Sequence, residues 1–166
     1  MATERRTIRD GVVVGLIGYA AVAIFYSLFD QLAARGTLYT VDLLGKALFR
    51  GLRDPGVLFF PLERDMTAIF WYNALHLVIA LAIGLIVTSL VAWAERNPSR
   101  RALVRFVIVG GYVATCVAVG VLTAPLRPLL PWWSIIVANS LASLAAGAYL
   151  VKVRPGLWQR LALAST

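Results

Sequence analysis

MTAIFWYNALHLVIALAIGLIVTSLVAWA, residues 66–94, runs without a formal charge from Asp65 to Glu95. An uncharged run of 29 residues exceeds the roughly 17–25 that cross the hydrocarbon layer of a bilayer as a helix. Trp71 and Trp93 stand near its ends, and their separation of 22 residues is about 33 Å of helix, close to the thickness of the apolar slab. The two indoles read as anchors at the two interfaces.

Three further runs have the same character: Gly11 to Phe29, Phe106 to Leu126 and Pro128 to Val151, of 19, 21 and 24 residues. None shows the alternating pattern of a barrel strand, and backbone in lipid must satisfy its own hydrogen bonds, so all four are expected to be helices. The predicted fold is all-α: an integral membrane four-helix bundle with spans near 11–29, 67–94, 104–125 and 131–152, one transmembrane domain over residues 1–166. A mean hydropathy of +0.80 with only 14% charged residues, gathered at the ends of these runs, excludes an ordinary soluble domain. The first run is longer than a signal-peptide core and no small-x-small cleavage site follows it, so a retained signal anchor is expected.

Basic residues set the orientation. Arg5, Arg6, Arg9, Arg96, Arg100, Arg101, Arg105, Lys152, Arg154 and Arg160 fall on one side. Arg35, Lys46, Arg50, Arg53, Arg64 and Arg127, offset by five acids, fall on the other. Both termini are therefore expected in the cytoplasm. The formal net charge of +8 reads as topology determinants and contacts to anionic lipid, and no nucleic-acid partner is expected, because no basic patch is interleaved with exposed aromatics. Arginine outnumbers lysine 14 to 2, a bias that points to a GC-rich bacterial genome and hence to a bacterial inner membrane. The lone Cys116 cannot form an internal disulfide.

The one long connection, residues 30–65, holds a predicted amphipathic helix at about 40–53, started by Thr40. Asp42, Lys46, Arg50 and Arg53 share one face, and Leu44, Ala47, Leu48 and Leu52 lie away from it. That pattern suits a helix lying flat on the outer surface, or one packed over the bundle mouth. Val57 to Leu62 is apolar enough to dip back toward lipid or bundle, and Leu157 to Leu161 is expected at the inner interface. Pro125, Pro128 and Pro131 predict a stiff, extended turn.

Small residues recur at four-residue spacing: Gly11 and Gly15; Gly110, Ala114 and Ala118; Asn139, Ser143 and Gly147. Such stripes let helices approach closely in lipid. Gly18-Tyr19-Ala20-Ala21 is faintly similar to Gly111-Tyr112-Val113-Ala114, as a two-plus-two duplication would produce.

The candidate intramembrane polar site comprises His76, Asn73, Asn139, Tyr72 and Asp30. His76, the only histidine, should face the bundle with Asn73 one turn away. It could serve as a proton relay, a haem or metal ligand or a quinone contact, or it could be a structural residue bonded to Asn139, a serine or a backbone carbonyl. One histidine and one cysteine cannot close a zinc site, and haem would need a partner chain. Asp30 is expected to pair with Arg35 or meet water. No nucleophile-base spacing, phosphate loop or HExxH is present, so neither an enzyme nor a bound cofactor is expected. The function that follows is non-catalytic: an accessory, assembly or stabilising subunit whose partners are the lipid bilayer, other membrane subunits or a second copy of itself. The alternatives are an oligomeric small-solute or ion transporter or channel with a polar path at His76, and a haem- or quinone-binding membrane protein.

Overall fold

The computed structural model describes residues 2–54, 56 and 63–155. It is all-helical, with five α-helices among these residues: α1 (Ala2–Leu32), α2 (Tyr39–Phe49), α3 (Met66–Arg96), α4 (Arg101–Leu122) and α5 (Trp132–Val153). Four of them, α1, α3, α4 and α5, are long and apolar enough to cross a membrane. The two segments expected at the membrane surface, 57–62 and 157–161, lie outside the described residues.

The spans differ from the uncharged runs at their ends. α1 begins nine residues before Gly11, because arginines are good helix formers and outside the apolar layer nothing penalises their charge. α4 stops at Leu122 rather than Pro125, and Thr123 turns its hydroxyl back onto the Val119 carbonyl at 2.7 Å. Pro125, which has no N–H, then sits in a 3-10 turn, Ala124–Leu126. The expected extended linker is thus corrected to a compact coil: Leu126 N–H reaches Thr123 O and Leu130 N–H reaches Leu126 O. The coil buries Leu126, Leu129 and Leu130, a gain that an extended segment would forgo.

α1 is the hub. It packs along α3 and then α5, while α4 touches α3 and α5 more lightly. The α1–α3 seam is built from glycine. A Cβ on Gly84 would collide with the Gly11 carbonyl and lie 2.5 Å from Gly15 N, and a Cβ on Gly15 would lie 2.7 Å from Leu81 Cα. The backbones therefore meet directly, which in lipid supplies the dispersion contact that drives association. Val14, Val91 and Leu150 form a core cluster across α1, α3 and α5, with Ile108 of α4 against it.

The chain ends of α1 and α5 lie together at one end of the bundle, the termini end. Arg6 donates to the Val153 carbonyl and Arg154 reaches Asp10 at 3.3 Å.

α2 closes the opposite end. It ends at Phe49, short of residue 53, because Gly51 takes a left-handed φ of +70°. Of the charged edge, Asp42 and Lys46 are turned inward and buried, whereas Arg50 and Arg53 are exposed. Lys46 donates to Asp42 at 2.6 Å and to the Glu63 carbonyl at 2.8 Å, Asp42 accepts from Asp65 N–H at 3.1 Å, and Gly45 sits on the Ala68 backbone. Leu43 packs on Leu126 and Leu129, whereas Leu48 and Phe49 face outward. Asp42 and Lys46 are drawn inward because the backbone groups just before α3 need partners, and these two side chains supply them.

Arg50 clamps the same corner by donating to Asp65 at 2.8 Å. That bond, with the Ala68 N–H that Asp65 caps, holds the Asp65 carboxyl below the ordinary aspartate value of 3.8. A lowered folded-state pKa stabilises the fold fully above the unfolded value, and the contribution is lost as pH falls through the lowered one. Acidification below 3.8 is therefore expected to loosen α2 from α3, read as faster amide exchange over residues 39–49. Asp65→Asn should show the loosened corner already at neutral pH and remove this part of the acid dependence.

Candidate functional site

The polar residues of the spans gather between α1 and α3. Tyr19 of α1 donates to Asn73 Oδ1 at 3.0 Å, and Asn73 Nδ2 donates to the Ile69 carbonyl of its own helix at 2.9 Å. The amide is thereby held on both sides. His76, three residues on, lies on the same face of α3. Its ring stands 5.2 Å from that of Tyr19, tilted by 51°, and 6.1 Å from that of Tyr72. Tyr72, Asn73 and His76 thus meet as the sequence suggests, with Tyr19 as a fourth member.

Asn139 and Asp30 do not join them. Asn139 Nδ2 donates to Ile135 O of its own helix at 2.8 Å, so the expected bond to His76 is absent. An asparagine in an apolar helix can satisfy its donor on the preceding turn and has no need of another helix. Asp30 lies at the loop end of α1, 11 residues from Tyr19, about 16 Å along the axis. It does not open to water, and Arg35 acts on it through its charge without a hydrogen bond between the side chains. It is 1% exposed and accepts from Thr40 N–H and Thr40 Oγ1, both at 2.6 Å. Asp30 therefore caps the start of α2 from another helix, and Thr40 is its partner in the first turn rather than the cap residue. Arg35 instead donates to Leu129 O at 2.9 Å and lies over the Tyr39 ring.

Among the described residues, neither the His76 imidazole nor the Tyr72 hydroxyl has a hydrogen-bond partner, and both side chains are half-buried. A neutral imidazole offers one donor and one acceptor. The cluster can therefore hydrogen-bond a group that reaches this part of the α1–α3 seam. No group of three or more His, Cys, Asp or Glu side chains that could hold a metal occurs among the described residues.

Two features escaped the sequence. Tyr19 stood out only through the similarity of its neighbourhood to that of Tyr112, and both tyrosines bond across helices: Tyr112 and Ser140 hydroxyls lie 2.7 Å apart. The second is the termini-end charge cluster. Asp10 is fully buried and contacts Arg154, Arg6 and Arg9, and Arg154 also donates to Glu95 at 2.7 Å. The available signal was an acid at the head of an apolar run, which needs a cation wherever it is buried.

Tyr19→Phe is expected to cost about 1 kcal/mol, the size of an interhelical hydrogen bond in a membrane bundle. Asn73→Ala should cost a similar amount, and the double variant little more than either. Unfolding in mixed micelles checks this cycle.

No family model matches the chain, and no curated protein or solved structure shows significant similarity to it.

Proposed function

We propose that this chain is a non-catalytic membrane protein that works by lateral association, as an accessory, assembly or stabilising subunit of a larger membrane complex. The observation that carries the reading is the contrast between two small-residue stripes. Gly11 and Gly15 are used up against Gly84, whereas Gly110 and Gly111 on α4 would meet nothing within 4 Å if given a Cβ, and Ala114 and Ala118 on the same side are exposed. Glycine costs a helix about 1 kcal/mol relative to alanine, and its compensation in lipid is a close neighbour. On α4 another chain is proposed to supply that neighbour, because Gly110 and Gly111 are exposed together with Ala114 and Ala118, whereas Gly18 and Gly147 are only partly exposed. The setting is a bacterial inner membrane with both termini in the cytoplasm, supported by the excess of arginine at the termini end.

Gentle solubilisation followed by size analysis tests the proposal. The native chain should migrate with a partner chain or as an oligomer, and Gly110→Leu with Ala114→Leu should release a smaller particle that is still folded. A monomeric native particle without co-purifying protein contradicts it.

The unbonded imidazole of His76 supports a second reading, transport of a small solute or ion in an oligomer. His76→Ala should then abolish flux in proteoliposomes while leaving the fold intact, whereas a purely structural histidine predicts lower stability and nothing more.

A further inference from the structure

We propose that the turn between α3 and α4 is a binding site for the headgroup of an anionic phospholipid, with the phosphate held by Arg100, Arg101 and Arg105. Several of the charges at this end of the bundle already have partners. Arg6, Arg9 and Arg154 share Asp10, Arg154 also takes Glu95, and Arg96 Nε donates to Ala92 O at 3.2 Å. Among the described residues Arg100, Arg101 and Arg105 meet no acceptor, and the Arg101 Nε is out of contact with water and unpartnered.

The backbone of the turn that carries these arginines is fixed. Asn97 bonds Trp93 O through both its backbone N–H and its side chain, and Arg100 N–H closes onto Asn97 O at 2.9 Å, so the 3-10 turn Pro98–Arg100 is fixed between two helices. Arg101 and Arg105 are one helical turn apart on α4, a like-charge spacing that is unfavourable unless an anion lies between them. A phosphate diester fits that position, because the planar guanidinium fork donates pairwise to its oxygens.

The depth and surroundings select a lipid over a free ion. Trp93 marks the interface one turn before Arg96, which puts the arginines level with headgroups. Below them α4 presents Leu103, Phe106 and Val107 outward, Phe106 being 75% exposed. A cationic rim above an uncovered apolar strip matches a headgroup followed by an acyl chain.

The test uses the full chain purified in a neutral detergent and titrated with phosphatidylglycerol or phosphatidylcholine, with thermal unfolding as readout. Phosphatidylglycerol should raise Tm and phosphatidylcholine should not. Each arginine at a membrane surface is worth about fivefold in affinity, so Arg100→Gln, Arg101→Gln and Arg105→Gln together should move the midpoint of the phosphatidylglycerol titration about a hundredfold higher. Arg105→Gln alone, which keeps the turn intact, should move it about fivefold. Arg5→Gln, at the same end but outside the site, should leave it in place. Equal responses to the two lipids, a triple variant that titrates like the native chain, or full reproduction of the shift by inorganic phosphate would each overturn the proposal.

Discussion

Gly84→Leu is expected to open the α1–α3 seam and to cost about 3 kcal/mol, the upper end of what overpacking a close-packed contact costs. The reason is local and steric. A Cβ on Gly84 points into the Gly11 carbonyl and the Gly15 backbone, its next contact being Gly15 Cα at 2.8 Å, and neither is the movable end of a side chain. Accommodation requires the two helices to separate, and separation in lipid forfeits the dispersion contacts that have no hydrophobic drive to replace them. Because α1 is also the main partner of α5, the loss should spread beyond one pair. Gly18→Ala and Gly147→Ala supply the contrast, since nothing lies within 4 Å of either new methyl. They should be neutral or stabilising by up to about 1 kcal/mol. Unfolding of the three variants in the same mixed micelles reads the difference.

Asp10→Ala is expected to have an effect of similar size at the termini end, about 3–5 kcal/mol, the range for removing one partner of a buried ion pair. Asp10 is 0% exposed and Arg154 8% exposed, and Arg154 Nε already lacks an acceptor. Without Asp10 the guanidinium keeps only Glu95, and the head of α1 is no longer tied to the end of α5. A well-packed apolar substitute for both partners can recover most of such a loss. Asp10→Leu combined with Arg154→Met should therefore be markedly more stable than Asp10→Ala alone. If the single and double variants lose the same amount, the pair is not coupled and the cluster does not hold the helices together.

The spans were legible because charge is excluded from hydrocarbon regardless of what a helix packs against. Their ends were not, since a helix continues past the apolar layer at no cost, as at Arg5 and Arg6, and stops where a proline removes a donor, as at Pro125. The Gly11–Gly15 stripe was readable as a close contact. Its partner Gly84 was not, because spacing along one helix says nothing about which helix answers it. Asn73, His76 and Tyr72 were brought together by helical spacing alone, a local property. The hydrogen-bond partner of Asp30 was missed because Thr40 belongs to a different helix and was taken for a cap in its own right. The Asp10–Arg154 pair, 144 residues apart, depends wholly on tertiary structure. The inward face of α2 followed from backbone groups at the start of α3 that no hydropathy pattern registers.

The most direct measurement of association through α4 is photo-crosslinking in intact membranes, with a benzophenone side chain placed at Val117, which flanks Ala114 and Ala118 and is 46% exposed. The account predicts a crosslinked product carrying a second protein chain, absent when Gly110→Leu and Ala114→Leu are added and absent when the probe sits at Leu144 on α5. A probe at Val117 that captures only lipid, or that captures protein no more than the probe at Leu144, would contradict it.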